Sequence, residues 1–254
     1  MERGTYVAAS GGLVQLRRLE VVNNNLANVN TPGFKRQIII NDVSPFEKTL
    51  AGETTPDALF AREDHDRAPA AVNARAVTDF SPGPIRNTAN PLDVALNKPN
   101  EFFVINGSSG PEYTRAGNFT LNKDGELVTP DGAQVLGDGG AITTTGTGVS
   151  ISSNGSVLAG GSVVGQLQVV KIENPLQLER LGNARFKLGA GQASPTVTEP
   201  DVISRSLEMS NTSAITSIVE LIKTQRGFQM YTRSAETINT MNQTAINQVG
   251  KRNG

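Results

Sequence analysis

The 254-residue chain holds one histidine, His65, within Glu63-Asp64-His65-Asp66. Carboxylates and an imidazole are donor types that a metal ion accepts, and an Asp–His pair is part of a hydrolase triad. Neither chemistry follows from this run. Consecutive residues rarely converge on one ion, so a solvated polar loop without bound metal is expected. No Gly-x-Ser-x-Gly turn accompanies the histidine to supply a nucleophile. Cysteine is absent, which excludes thiol catalysis, cysteine–zinc sites and disulfides. Gly107-Ser108-Ser109-Gly110 and Gly137-Asp138-Gly139-Gly140 lack the lysine and following helix of a phosphate loop, and read as hairpin turns. Asp64/Asp66 and Asp124/Glu126 could do acid–base work but read as surface carboxylates. The expectation is a protein that is not an enzyme and needs no cofactor.

What remains is apolar surface arranged on long helices. Residues 211–249 hold no proline and one glycine, Gly227. Ile215, Ile218, Ile222, Phe228, Tyr231, Ala235, Ile238, Met241, Ala245 and Val249 recur mostly at steps of three or four, a helical stripe interrupted at Gln225. Lys223, Arg226, Arg233, Glu236 and Asn239 fall on the opposite face. A helix of this length spans about 55–60 Å, more than a small domain buries. It needs a helical partner, and the candidate lies at the other end of the chain. Over residues 2–29, Tyr6, Ala9, Leu13, Leu16, Leu19, Val22, Leu26 and Val29 form a matching stripe, ended by Pro32-Gly33. Val7, Val14, Val21, Val219, Leu221 and Met230 lie off both stripes and read as spare apolar surface for further copies. The first helix ends in an asparagine cluster: Asn23, Asn24, Asn25, Asn28 and Asn30. Asparagine is a mediocre helix former. The cluster is either a frayed end running into a turn or a set of amides bonded to neighbours.

Between the helices the pattern changes twice. Residues 35–90 contain a β-like run at Gln37–Ile40, then an Asp-, Glu-, Arg-, Ala- and Pro-rich stretch that reads as an extended connector or loose hairpin. Residues 91–200 read as short strands at Leu92–Leu96, Phe102–Ile105, Gly117–Leu121, Leu127–Thr129, Val149–Ile151, Val157–Ala159, Gly165–Ile172 and Arg185–Leu188. Turn pairs at Asn106-Gly107, Asp124-Gly125, Asp131-Gly132, Asp138-Gly139 and Asn154-Gly155 separate them. The core is expected from Leu92, Val94, Phe102, Val104, Phe119, Leu127, Val135, Leu167, Val169 and Phe186. The fold class is α+β: long N- and C-terminal helices pairing as a coiled coil, with a mainly antiparallel all-β domain inserted between them. The expected division is 1–35 with 210–254 (helical), 36–90 (connector or hairpin) and 91–209 (β domain).

The composition agrees with an interaction protein. A formal net charge of −1 argues against nucleic-acid binding. Apolar residues make up 37% of the chain and aromatics 5%, with no tryptophan, which is thin for one compact enzyme core and suits an elongated molecule. No apolar run reaches the roughly 18 residues of a membrane span, so no direct membrane insertion is expected. Met1–Ser10 lacks the basic lead and apolar core of a Sec-type signal.

Three segments carry a resemblance to a known family. Asn24-Asn25-Leu26-Ala27-Asn28-Val29-Asn30-Thr31-Pro32-Gly33-Phe34-Lys35 resembles the N-terminal signature of bacterial flagellar axial proteins, the rod, hook and hook-associated proteins. Tyr113-Thr114-Arg115-Ala116-Gly117-Asn118-Phe119-Thr120, with Asp124-Gly125-Glu126-Leu127-Val128-Thr129 and Asp131-Gly132, resembles the segment these proteins share in the middle. Ser210-Asn211, Ile222, Gln225-Arg226 and Tyr231 resemble their C-terminal helix. The length and the run Asn90–Leu96 are most similar to the proximal-rod branch, with the distal-rod branch the close competitor and a hook-type subunit of the same family a further alternative. Pro99-Asn100-Glu101 departs from the usual glycine before the paired phenylalanines, and Gly227 stands where relatives tend to have alanine. The resemblance implies a periplasmic rod subunit of the flagellar basal body, exported unfolded by the flagellar type III apparatus. Such a subunit polymerises with copies of itself and other rod subunits into the shaft that passes torque to the hook. The assembly residues it implies are Tyr6, Leu13, Leu16, Leu19, Val22, Asn24, Asn25, Leu26, Asn28, Val29, Ile215, Ile218, Ile222, Gln225, Phe228, Tyr231, Ile238 and Met241. The alternative from another class is a secreted carbohydrate-binding or hydrolytic β domain with dimerising helices.

Overall fold

The computed structural model describes residues 2–44, 71–107, 110–146, 148–189 and 196–251. His65, Arg62 and Arg67 fall outside the described residues, as do Ser108 and Ser109. The chain runs from helix α1 (Glu2–Ala27) through nineteen described strands to helix α2 (Ala214–Lys251). It divides into two compact units. The first comprises residues 1–26, 37–77 and 214–254; the second comprises 27–36 and 78–213. The class is therefore α+β, with a mainly antiparallel β domain between two terminal helices.

In the first unit, β1 (Gln37–Ser44) pairs with β2 (Ala71–Thr78), so the stretch that reads as connector begins and ends as a two-stranded sheet. Tyr231 of α2 lies so close over Gly11 of α1 that a Cβ there would overlap its ring. Gly227 faces Gln15, whose Cδ lies 3.3 Å from where a Cβ would stand. As α1 advances from Gly11 to Gln15, its neighbour on α2 retreats from Tyr231 to Gly227. The helices therefore run antiparallel where they touch, and Gly11 lets the Tyr231 ring approach closely. No helix among the described residues is long and apolar enough to cross a membrane.

The second unit is built on β5 (Glu101–Gly107). One edge of β5 pairs with β6 (Gly110–Thr114), which leads through β16 (Arg185–Leu188) to β15 (Leu178–Gly182). Its other edge pairs with β14 (Val169–Lys171) at one end and β9 (Gln134–Gly137) at the other. β9 continues to β8 (Leu127–Val128) and β7 (Thr120–Leu121), and also pairs β10 (Gly140–Ala141). β14 pairs β17 (Thr196–Thr198). A three-stranded sheet holds β11 (Ser150–Ile151), β12 (Ser156–Ala159) and β13 (Ser162–Gln166). Two short pairs complete the unit: β4 (Val94–Leu96) with β18 (Val202–Ser204), and β3 (Ile85–Asn87) with β19 (Ser206–Glu208).

The run Phe102-Phe103-Val104-Ile105 explains why β5 is central. A strand covered on one face alternates apolar and polar, whereas four apolar residues in succession suit a strand covered on both. Phe103 and Ile105 enter one core with Val94, Phe119, Leu127, Val135, Leu167 and Val169. Phe102 and Val104 enter a second with Tyr113, Val170 and Phe186. Phe80 closes this second core, its ring 5.2 Å from Phe186 and 5.9 Å from Phe102.

Several strands differ from the sequence expectation: Gly117–Leu121 is a strand only at Thr120–Leu121 and Leu92–Leu96 only at Val94–Leu96, and two further differences have a clear physical reason. Asn106-Gly107 is not a turn: it ends β5, with Asn106 opposite Pro111 and Gly107 opposite Gly110. The Asn106 side chain donates across the sheet to Gln134 Oε1 at 3.1 Å, which favours the strand. Gly165–Ile172 is not one strand, because Leu167 leaves β13 to bury its side chain and bridge Gly137 before β14 starts.

Candidate assembly interface

Two sets of residues stand out, one in each unit. In the first unit they are the faces of α1 and α2. Val14, Val21, Val22 and Asn25 are the buried side chains of α1's second half, whereas Leu13 is 66% exposed and Leu16 38%. On α2, Ser217 and Thr224 are buried and Leu221, Phe228, Ala235, Ile238, Asn242 and Ala245 are partly covered. With Tyr231 these positions repeat at alternating steps of four and three, the spacing of a seam between paired helices. The covered face is thus not the stripe of largest apolar residues. Ile215 is 79% exposed, and Ile218, Val219 and Ile222 are each close to half exposed. This corrects the assignment of Val14, Val21 and Leu221 to spare surface. Apolar counting passes over Ser217 and Thr224, which belong to the seam, and over Gly11, where close approach matters more than side-chain area.

The remaining expected assembly residues are spread over both environments. Leu19 and Leu26 are partly covered. Val29 and Asn28 lie beyond α1's last residue, in the second unit, also partly covered. Asn24 is exposed, as are Gln225 and Met241. Tyr6 lies in α1, but its side chain, like those of Val7 and Val249, is outside the described residues. Asn25 shows what the asparagine cluster does. Its Nδ2 donates to Gln37 O at 2.7 Å and its Oδ1 accepts from Gln37 N at 2.9 Å. The amide acts as a backbone-like partner that begins β1. Asn28 Oδ1 accepts from Thr31 Oγ1 at 3.2 Å, shaping the turn after the helix.

Outside the seam, five hydroxyls of α2 are satisfied within the helix itself. The hydroxyls of Thr232, Ser234, Thr237, Thr240 and Thr244 each donate to the carbonyl four residues earlier, at 2.9–3.0 Å. A cleft of about 380 Å³ lies between the helices and β1, lined by Arg18, Val21, Asn25, Ile38, Glu220 and Lys223 among others.

In the second unit the notable feature is an ionic clasp. Glu208 Oε1 accepts from Lys35 Nζ at 2.6 Å, and its Oε2 from Arg115 Nε at 2.8 Å and Nη2 at 2.7 Å. All three side chains are almost fully buried. Both cations also reach backbone carbonyls. Lys35 Nζ reaches Ser81 O at 2.8 Å, and Arg115 Nη1 reaches Lys98 O at 2.9 Å and Glu101 O at 2.7 Å. Gly83 N adds a bond to Glu208 Oε1 at 2.9 Å. Burial pushes the Glu208 carboxyl up, but Arg115, then Lys35, outweigh it and hold the group below the usual carboxylate range. Burial pulls the Lys35 ammonium below its ordinary value, only partly countered by Glu208.

Around the ions the backbone is equally tied. Gly33, at φ +66°, sits against the backbone of Arg115 and Ala116 where a Cβ would overlap it, so the left-handed turn and the close approach both require glycine. Gly33 N donates to Glu208 O at 2.8 Å. Phe34 is buried beneath Arg180, whose guanidinium carbon stands 4.2 Å from the ring centroid. Arg36 pairs with Asp79 at 2.9 Å, and its N–H donates to Asn211 Oδ1 at 2.7 Å. Asn211 Nδ2 in turn donates to Asp79 O and Ser81 O. Parts of the three segments that resemble flagellar signatures, widely separated in sequence, therefore meet here: Gly33 and Lys35 of the first, Arg115 of the second and Asn211 of the third. Reading the residues singly missed Lys35, Arg115 and Glu208. The one available signal was that Lys35 and Arg115 are charged residues inside otherwise neutral signature runs.

Comparison with known proteins follows the same three segments. A family model described as flagella basal body rod protein matches residues 6–35. One described as the flagellar hook protein FlgE/F/G D1 domain matches 99–159. One described as flagellar basal body rod FlgEFG protein C-terminal matches 203–248. Each match contains one ion of the clasp. The chain is 32% identical over 264 residues to the flagellar basal-body rod protein FlgG of Bacillus subtilis, covering 97% of this chain and 99% of that one. It is 28% identical over 258 residues to the rod protein FlgF of Caulobacter vibrioides, with both chains covered completely. It is 29% identical over 252 residues to FlgF of Salmonella typhimurium, 91% of each chain being covered. The chain belongs to the flagellar basal-body rod protein family and is a structural subunit of that rod, where it assembles with other rod subunits.

Proposed function

We propose that this subunit occupies the proximal part of the rod and polymerises through α1 and α2, paired as a coiled coil. The observation that carries the reading is the second apolar face of the helices. One face carries the covered residues spaced at alternating steps of four and three. The other presents Leu13, Leu16, Ile215, Ile218, Val219 and Ile222 to solvent. A helix that only dimerised would need one stripe; a subunit surrounded by copies needs more. Tyr6, Leu19, Val22, Asn24, Asn25, Leu26, Asn28, Val29, Gln225, Phe228, Tyr231, Ile238 and Met241 complete the proposed interface. Delivery as an unfolded chain through the flagellar type III apparatus belongs to the same reading. The end-to-end match to FlgF of Caulobacter vibrioides favours the proximal position. A distal-rod position is the second reading, favoured by the 32% identity to FlgG of Bacillus subtilis.

The test is a double substitution, Ile218→Asp with Ile222→Asp, in the full chain. It should abolish incorporation into basal bodies and motility while the melting of the β unit stays where it was. Retained motility would overturn the assembly role of this face. Electron microscopy of basal bodies, giving the height of the subunit along the rod, separates the two positions.

A further inference from the structure

The clasp joins residues that enter the fold at very different times. Lys35 and Glu208 stand 173 residues apart, and Arg115 and Glu208 stand 93 apart. We propose that the clasp is a completion latch: the second unit closes only when Ser206–Asn211, the segment just before α2, is in place. A chain supplied N-terminus first then keeps this unit open until its second long helix is arriving.

Three observations carry the inference. The first is charge. Lys35 and Arg115 are both buried against one carboxylate, which bonds them both. A unit closed without Glu208 would hold two buried cations facing each other, and uncompensated buried charge is strongly destabilising. Partial closure is therefore penalised, rather than merely less favourable by one contact.

The second is the backbone. Before Ser206–Asn211 arrives, Gly33 N, Arg36 N and Pro84 O lack the partners they have in the closed unit, which are Glu208 O, Asn211 Oδ1 and Met209 N. β3 also lacks β19, with which it pairs at Leu207↔Arg86. Gly33, which is buried, and the part-buried Arg36 N–H oppose closure further when left without partners. Gly83 packs so tightly on Met209 O that a Cβ there would overlap it, so the arriving segment fits closely against this stretch.

The third is continuity with the core. β4 supplies Val94 and Leu96 to the larger core and pairs along its length with β18, which leads directly into the clasp segment. The strand that completes β4 therefore stands shortly before the residue that completes the ion cluster.

The test uses the full chain held on the ribosome by C-terminal linkers of graded length, with a brief protease pulse at each length. A resistant β unit should appear only once Asn211 has left the tunnel. Resistance of the same unit while Glu208 is still inside would overturn the proposal. A second measurement uses amide hydrogen exchange on the released chain. In Glu208→Gln, protection at Gly33 and Gly83 in the clasp and at Val104 and Val170 in the core should fall by one common factor, on the order of a hundredfold or more. Amides of α2 should keep theirs. Loss at Gly33 and Gly83 with Val104 and Val170 unchanged would show a local contact and sink the latch.

Discussion

Glu208 concentrates more consequences than any other side chain described. Its carboxylate balances two buried cations, so Glu208→Gln should cost about 3–5 kcal/mol in the urea unfolding of the β unit. The same group sets an acid limit. Its folded pKa lies below its ordinary value of about 4.3. Its contribution is therefore complete above that value and is lost as the pH falls through the folded pKa. Asp79 shifts the same way: burial raises it, and hydrogen bonds from Ser81 and Arg36 outweigh that. Stability measured from pH 6 downward should stay flat until about pH 4.5 and then fall. In Glu208→Gln the slope of that fall should be shallower. An equally steep fall in the variant would place the acid sensitivity elsewhere.

Among the elements, α2 shows most clearly what a sequence reveals. Its existence, its length and its heptad-compatible composition were legible from proline-free periodicity. Which face it covers was not, because Ser217 and Thr224 lie in the seam while Ile215 and Ile218 lie outside it. Periodicity finds a helix, but two candidate stripes on one helix are separated only by what packs against each. The β unit behaved alike. Val94, Phe102, Val104, Phe119, Leu127, Val135, Leu167, Val169 and Phe186 are core residues as expected. β18 and β19 escaped because they are three residues each and no Asn-Gly or Asp-Gly pair marks the break between them. Gly227 offers a direct check on α2. Its φ is helical and a Cβ would meet only the movable end of Gln15. Gly227→Ala should therefore stabilise α2 by up to about 1 kcal/mol through helix propensity. Circular dichroism melts followed at 222 nm would show it, and a lowered midpoint would mean that Gln15 cannot give way.

At the scale of the whole molecule, the two compact units should respond separately to attack. Arg75 is exposed in β2, and the sequence places Arg62 and Arg67 in the polar stretch before it. Trypsin should cut this region early. Lys35 and Arg115 should survive although both are ordinary tryptic sites, because their side chains are buried on Glu208. After the cut, the peptide carrying Lys35 should stay bound to the β unit. Native mass spectrometry should find the two together, and denaturing conditions should release them. Early cleavage at Lys35 would mean that the clasp opens far more easily than its burial implies.

The five back-bonded hydroxyls of α2 bear on how this surface can be dried. A threonine facing solvent normally holds water, and removing that water leaves a donor unanswered. Here Thr232, Ser234, Thr237, Thr240 and Thr244 already donate to their own helix. A neighbour laid on this side can expel the hydration layer without orphaning any of these protons. These hydroxyls stay satisfied whether the helix is wet or covered, so in any joint only the charged and amide groups between them, Arg233, Glu236 and Asn239, still call for a partner.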